Sequence, residues 1–265
     1  MRVPHSRWLA SIATVLMPAL LLPHGSASAQ VTCEASDPGH LQGIAVEKGK
    51  AIYWSFTREL VKTDLQGKVL HRLPVKGHHG DATYHKGKVY VAVNFGSFNK
   101  PPGRADNWVY VYKAKDLSLA AKHKLPEVVH GAGGIACHKG RFVVVGGLPE
   151  GVEENTLYEY DKKLRFKKRH VIPSGYTKLG IQTVCYHGGY WWLGCYGRKL
   201  LKVDGKFRLV GTYDFECSVG IDSLSDSTFL IAHILKTQSG NAGAKVVLAK
   251  PNDAGALVVR DQAQQ

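Results

Sequence analysis

Residues 77–94, GHHGDATYHKGKVYVAVN, contain the pattern that decides the fold. A glycine-rich start leads into a polar turn at HKGK and then into an alternating β-branched run, which is typical of a β-hairpin. The pattern recurs as LQGIAVEKGKAIYWSF (41–56), GGIACHKGRFVVVGG (133–147), GIQTVCYHGGYWWLGCYG (180–197) and GIDSLSDSTFLIAHI (220–234). Aligned on one small residue in each copy, from Ala45 to Ser223, the five segments have a mean spacing of 44.5 residues.

Two further strand-like runs follow each hairpin, so every repeat contains about four short strands. Four strands at this period, with turn signals and no helical pattern, predict the blade of a β-propeller. We therefore predict an all-β fold, a five-bladed β-propeller with four-stranded antiparallel blades around a central channel, over residues 30–265. A β-sandwich would leave the repeat unexplained, and a sixth blade is the other alternative. The segments VTCEAS (31–36) and ALVVRDQ (256–262) compete for the outer strand that closes the ring.

Residues 1–29 have the features of a secretory signal peptide. The segment has a basic start, an apolar middle at 8–22 and the small-residue end SASA at 26–29, which predicts cleavage after Ala29. A membrane anchor is the alternative, but two prolines shorten the apolar run below the roughly 20 residues that a span needs. We expect a secreted or periplasmic protein without a membrane span.

The charge of the chain favours anionic partners. The formal charge is +14, and it falls to +12 when the two arginines of residues 1–29 are removed. An anionic carbohydrate or another small acidic ligand fits this charge, whereas solubility alone is the simpler explanation. No helix-turn-helix, zinc-finger or RNA-binding pattern occurs, so no nucleic-acid partner is expected, and we expect a monomer.

The cysteine count is odd, with Cys33, Cys137, Cys185, Cys195 and Cys217 in the predicted mature chain. Export permits disulfides, and an odd number leaves at least one thiol unpaired within the chain. A bond between Cys195 and Cys217 fits the predicted topology, and Cys33 is a rival partner for Cys217. The pairing stays open.

The predicted topology divides the loops between two faces. With strands A to D counted outward in each blade, the D–A connections and B–C loops emerge on one face, called here the D–A face. The A–B and C–D turns emerge on the other face, called the A–B face. Loops on one face of a rigid scaffold are the usual place for binding residues, so we predict the site on the D–A face. His85, His138 and His187 are expected to be solvated residues of A–B turns.

Three D–A connections each carry a histidine: His40, His79 and His130. Converging neutral imidazoles are good ligands for zinc, iron or copper, so we predict a divalent metal (Zn, Fe, Cu or Ca) at the mouth of the channel. Asp81 and Asp222 would orient the histidines or hold a cation deeper in the channel, at one aligned level with Gln182. The alternative is that the histidines only hydrogen-bond the backbone at strand ends.

Further residues on the predicted face would handle a substrate. His79, His130 and Tyr176 are candidate acid/base groups. The predicted substrate-binding residues are Lys178, Arg198, Asn94, Arg104 and Gln182. Asn94 and Arg104 lie in the long B–C loop at 94–108, and a second long B–C loop spans 146–156.

Residues 40–234 resemble a group of exported bacterial five-bladed propellers. The resemblance rests on the segments HHGDA, HGAGGIA, GGLPEG and IPSGYTKLGIQT. More distantly, the repeat is similar to the NHL and gluconolactonase-like propellers. The resemblance implies a site on the D–A face and, for the gluconolactonase-like group, a divalent metal held by acidic and amide ligands. This chain has histidines where glutamate and asparagine are expected, so no ligand is carried over by position.

These patterns together predict an exported enzyme with a histidine-rich, metal-assisted site at the mouth of the channel. Its activity would be hydrolysis or elimination on a small or anionic substrate such as a lactone, an ester or a uronate-containing sugar. The alternative is a non-catalytic propeller that binds carbohydrate or an envelope partner. The five D–A connections differ in chemistry, which favours one composite site over repeated lectin pockets.

Overall fold

The structure, a computed structural model, describes residues 30–238 and 240–260. The predicted signal peptide, residues 1–29, lies outside the described residues. The described residues form 21 β-strands joined by turns and loops, without a helix. Accordingly, no helix that is long and apolar enough to cross a membrane is present in this part of the chain.

The strands form five antiparallel blades. Strand β1 (Gln30–Asp37) precedes blade 1, which consists of β2 (Leu41–Glu47), β3 (Ala51–Phe56), β4 (Glu59–Thr63) and β5 (Val69–Pro74). Blade 2 consists of β6 (His79–His85), β7 (Lys88–Asn94), β8 (Asn107–Lys113) and β9 (Leu119–Lys124). Blade 3 consists of β10 (Ala132–His138), β11 (Arg141–Gly146), β12 (Asn155–Tyr160) and β13 (Phe166–Ile172). Blade 4 consists of β14 (Ile181–His187), β15 (Tyr190–Cys195), β16 (Lys199–Asp204) and β17 (Leu209–Asp214).

The remaining strands are β18 (Ile221–Ser225), β19 (Thr228–Lys236), β20 (Ala242–Pro251) and β21 (Leu257–Val259). They form blade 5 together with β1, in the order β18-β19-β20-β1. Both predicted closing segments take part, because β1 pairs with the first half of β20 and β21 pairs with its end. The five-bladed propeller is thus confirmed, and both ends of the described chain hold the ring closed.

The hydrophobic core lies between neighbouring blades. Trp191 packs in a cluster that joins blades 3 and 4, and Trp192 packs in a cluster that joins blades 4 and 5. Trp192 meets the ring of Phe229 edge-on at 5.2 Å. Alternate residues of each strand face opposite neighbours, so adjacent tryptophans of β15 serve two different interfaces. This packing leaves the inner edge of each A strand facing the channel.

Three A–B turns consist of two residues with positive φ each, as in type I′ hairpins. They are Lys86–Gly87, Lys139–Gly140 and Gly188–Gly189. Such turns match the twist of the flanking strands and favour glycine or asparagine. Lys86 and Lys139 therefore add no stability to their turns, and what they add to the A–B face is positive charge.

Candidate functional site

The inner strands of blades 2, 3 and 4 approach one another closely at the D–A end of the channel. A Cβ atom on Gly80 would lie 2.3 Å from the carbonyl oxygen of Gly133, and one on Gly133 would lie 3.1 Å from that of Ile181. A Cβ on Gly134 would lie 2.8 Å from the carbonyl oxygen of Gln182. The inner strands of blades 2, 3 and 4 thus approach too closely for imidazole rings to meet at the axis between them.

His79 points away from the channel and is buried between aromatic rings. Its Nε2 lies 2.6 Å from the hydroxyl of Tyr112, and its Nδ1 lies 3.1 Å from the carbonyl oxygen of Lys76. The ring of Tyr110 meets it edge-on at 5.5 Å. Burial lowers the pKa of His79 to about 4, although the bond to Lys76 opposes the shift. His79 is therefore a neutral residue with both ring nitrogens occupied.

The other two predicted histidine ligands have local partners of their own. His40 Nε2 lies 2.9 Å from Gln42 Nε2, and His130 Nδ1 lies 2.9 Å from the carbonyl oxygen of Lys100. Within residues 30–238 and 240–260, no group of three or more His, Cys, Asp or Glu side chains could hold a metal ion. The predicted three-histidine set is not assembled in this structure, and metal binding stays a prediction.

Two of the predicted substrate-binding residues hold loop structure instead. The Oδ1 atom of Asn94 accepts hydrogen bonds from the backbone N–H groups of Gly96 and Asp106, at 3.0 and 2.9 Å. Gln182 Nε2 donates to the carbonyl oxygen of Leu179 at 2.6 Å. Both side chains are buried, so neither is free to contact a ligand without breaking these bonds.

The remaining residues of the predicted D–A site are exposed. Arg104 and Lys178 lie at the surface, and the ring of Tyr176 is 38% exposed. Arg198 pairs with Asp214, with 2.7 Å between Nε and Oδ1, while most of its side chain faces solvent. None of these four residues lines the cavity of about 420 Å³ described below.

The Asp81 side chain is buried, where it accepts backbone hydrogen bonds from two other blades, and it is not part of a surface site. Its Oδ1 accepts a hydrogen bond from Ile44 N–H at 3.2 Å, and its Oδ2 accepts one from Val184 N–H at 3.0 Å. The carboxyl group thus joins blade 2 to blades 1 and 4 across the channel. The inner edge of an A strand has no partner strand, so its N–H groups need such acceptors. Burial raises the pKa of Asp81 well above its usual value, although the backbone hydrogen bonds oppose the shift.

The sequence predicted that Asp81, Gln182 and Asp222 lie at the same height in the channel. This prediction is wrong for Asp222, which lies at a different height. Asp81 and Gln182 lie in the bulges that begin β6 and β14. Asp222 pairs with the third residue of the neighbouring B strand. Thr83 and Cys185 also pair with the third residue of theirs, so Asp222 lies at their level, nearer the A–B face. The separation from the level of Asp81 is two residues, or about 7 Å along the strand. Sequence spacing missed this because the inner strand of blade 5 has its register shift elsewhere.

A cavity of about 420 Å³ lies at the A–B end of the channel. All five blades contribute to its wall, with Val46, Glu47, Lys48, Lys50, Thr83, Tyr84, Ala136, Cys137, Cys185, Tyr186, Asp222 and Ser223. The prediction of a site on the D–A face thus overlooked the opposite mouth. The available signal was the run of basic A–B turns, EKGK, HKGK and HKGR, in three successive blades.

Asp222 is the carboxyl group at this mouth. Its Oδ2 accepts from Val46 N–H at 2.8 Å, and its Oδ1 accepts from the N–H of Ser223 at 2.7 Å. Burial raises the pKa of Asp222 to about 6, while these two N–H groups and the nearby Lys48 act to lower it. A carboxyl group with such a pKa changes its protonation state close to neutral pH.

The rim of the cavity is positively charged. Lys48, Lys86 and Lys139, one in each of three A–B turns, have no ion-pair partner within 4 Å among the described residues. Glu47, an acidic residue of the cavity wall, is already bound by Tyr53 at 2.8 Å, Lys50 at 3.1 Å and Tyr84 at 3.2 Å. Partial burial acts to raise the pKa of Glu47, but these three hydrogen bonds outweigh it and lower the pKa. The A–B turn of blade 5 adds Asp226, but the three unpaired lysines outnumber it, so the net charge of these turns is basic.

The histidines of the A–B turns are packed, contrary to the expectation that they are solvated. His85 meets the ring of Phe142 edge-on, and His138 stacks on Tyr186 with 3.7 Å between ring centres. His187 is buried and meets the ring of Phe229. Each ring fills space between its own blade and the next, because the turns lie against the neighbouring inner strand.

All five cysteines are free thiols, so no disulfide joins Cys195 to Cys217 or Cys33 to Cys217. Burial raises the pKa of Cys195 to about 12, and it raises that of Cys217 also. Cys137 and Cys185 line the cavity, and burial likewise raises the pKa of both thiols. These cysteines are protonated at neutral pH and behave as small apolar side chains.

Comparisons with known proteins agree on the fold. The chain is similar to glutaminyl cyclase from Myxococcus xanthus, with a TM-score of 0.59 and 9% identity over 88% of this chain and 95% of that one. Hydrazine synthase from Kuenenia stuttgartiensis gives a TM-score of 0.48 and 14% identity over 86% of this chain and 67% of that one. No family model matches the chain, and no curated protein matches it in sequence. At 9% identity, the likeness to the glutaminyl cyclase shows the propeller fold alone.

Proposed function

We propose that the protein binds a small anionic ligand, such as an organic acid or an acidic sugar, in the cavity at the A–B end of the channel. One observation carries the proposal: a cavity walled by all five blades opens among basic turns in which Lys48, Lys86 and Lys139 lack ion-pair partners within the described chain, although Lys50 pairs with Glu47. A volume of about 420 Å³ is in the range of small-molecule sites.

The lining gives the ligand two kinds of partner. Lys48 lies on the rim close enough to affect the pKa of Asp222, and Lys86 does the same for Cys137. These two cations approach the cavity from blades 1 and 2, where they would bind a carboxylate or phosphate group. Asp222 and Thr83 also line the cavity and would take hydroxyl groups of a sugar or hydroxy acid.

Catalysis is compatible with the fold, since glutaminyl cyclase is an enzyme with the same architecture, but fold alone assigns no reaction. Hydrolysis or elimination of a lactone, ester or uronate stays a prediction. The same holds for export to the periplasm, for a metal at His40, His79 and His130, and for the relation to NHL and gluconolactonase-like propellers. A non-catalytic carbohydrate-binding protein would use the same cavity without turnover.

Calorimetric titration tests the proposed site. The probes are citrate, glucuronate and glucose 6-phosphate, with neutral glucose as the comparison. We expect at least one anionic probe to bind, with affinity that falls as salt is added, and glucose not to bind. Replacing Lys48 and Lys86 together by glutamine removes two partly solvated ion pairs, so affinity should fall by about 5- to 30-fold.

The matched control replaces Lys76 and Lys100 by glutamine. These two exposed lysines lie in a D–A connection and a B–C loop, at the opposite end of the channel, and their loss changes the net charge equally. If the control binds the anion as tightly as wild type while the Lys48/Lys86 variant binds it more weakly, the result supports a local site. Equal losses of affinity in both variants would show that only the net charge of the protein matters. Failure of all three anions to bind would contradict the proposal.

A further inference from the structure

A serine and a histidine meet across the boundary between blades 4 and 5 at the cavity. His187 Nδ1 lies 2.9 Å from Ser223 Oγ, and both groups are buried. Ser223 follows Asp222 in β18 and is one of the residues that line the cavity. Its hydroxyl group therefore lies beside a base in the wall of the cavity, with the Ser225 carbonyl oxygen as a more distant partner at 3.4 Å.

The surroundings of His187 suit a neutral base with a fixed orientation. The ring meets Phe229 at 4.4 Å between centres, and its own carbonyl oxygen accepts from Trp192 Nε1 at 3.1 Å. Burial and the nearby Lys48 lower the pKa of His187, whereas a hydrogen bond to the backbone of Asp226 opposes the shift. That bond also favours the imidazolium that forms when the histidine takes a proton.

We propose that Ser223 is an acyl-transfer nucleophile and that His187 is its general base, acting on an ester or lactone that carries an anionic group. The inference rests on the proposed function, because the anionic group would bind at the basic rim beside the nucleophile. It gives His187 a chemical role where the sequence pattern predicted a solvated turn residue.

The reaction proceeds in two balanced steps. As Ser223 Oγ bonds to the carbonyl carbon, its proton passes to His187 Nδ1, and the tetrahedral intermediate expels the alkoxide, which takes that proton from His187 and leaves as the alcohol. Water then gives a proton to His187 as its oxygen bonds to the acyl carbon. The carboxylic acid leaves, and Ser223 Oγ recovers its proton.

A small alkyl fluorophosphonate tests the nucleophile directly in the wild-type protein, so no variant has to fold for the first result. We expect one adduct per chain, located by peptide mass spectrometry on Ser223, with release of fluoride. Wild-type protein should also hydrolyse 4-nitrophenyl acetate. The Ser223→Ala variant should lose both reactions, and His187→Gln should slow them by at least about 100-fold.

The control variant is Ser225→Ala, which removes an exposed hydroxyl two residues away and leaves the Ser225 carbonyl in place. It should label at the wild-type rate. No adduct on Ser223 and no hydrolysis above buffer would overturn the inference and leave the pair as a contact between blades. Labelling that persists in His187→Gln would overturn the role of the histidine.

The two proposals can fail separately. Anion binding that depends on Lys48 and Lys86, with no labelling of Ser223, would retain the binding site and remove the nucleophile. Labelling of Ser223 without anion binding would retain the catalytic pair and remove the proposed ligand class.

Discussion

Replacing Asp81 should destabilise the whole ring, because this carboxyl group is the shared acceptor of two blades. In Asp81→Ala the N–H groups of Ile44 and Val184, now bonded at 3.2 and 3.0 Å, are left buried without an acceptor. Each unsatisfied buried donor costs about 1–3 kcal/mol, so the free energy of unfolding should fall by about 2–6 kcal/mol. Asp81→Asn keeps one acceptor oxygen and should lose about half as much.

Urea unfolding followed by tryptophan fluorescence measures this loss. Asp253→Asn removes an exposed carboxylate and should stay within about 0.5 kcal/mol of wild type. The reasoning is refuted if the free energy of unfolding of Asp81→Ala lies within about 1 kcal/mol of the wild-type value. A loss of about 1 kcal/mol is the smallest cost expected of one unsatisfied donor.

Two more predictions concern Asp222 and the histidines of the D–A face. The folded pKa of Asp222, about 6, lies above the ordinary value of 3.8, so its contribution to stability is present below pH 4 and is lost as the pH rises to 6. Over that range wild type should lose up to about 3 kcal/mol relative to Asp222→Asn, and parallel urea titrations with no such divergence would contradict the assignment. His79→Ala should cost about 2–4 kcal/mol in urea unfolding, because Tyr112 and the Lys76 carbonyl lose their buried partner. Stoichiometric metal in tag-free protein, lost in a still-folded His40/His79/His130 triple alanine variant, would instead establish the predicted metal site.

Local pattern predicted the architecture well because a propeller repeats one unit. The period of 44.5 residues, the turn residues and the alternating strands are properties of neighbouring residues, and each blade obeys them separately. The sequence did not decide which of two segments closes the ring. Only the pairing of β1 and β21 along β20 shows that both segments take part.

The sequence by itself determined that this protein is a five-bladed propeller with basic turns on one face. The cavity at the A–B end of the channel became visible only in the tertiary structure, because it needs residues of all five blades. At the D–A end the inner strands approach closely at Gly80 and Gly133, and bulges turn His79 and Asp81 toward different partners. Register shifts of one residue are invisible in a repeat alignment, yet they reverse the face on which a side chain emerges. The meeting of Ser223 with His187 has the same origin, because residues 36 positions apart come together only when two blades pack.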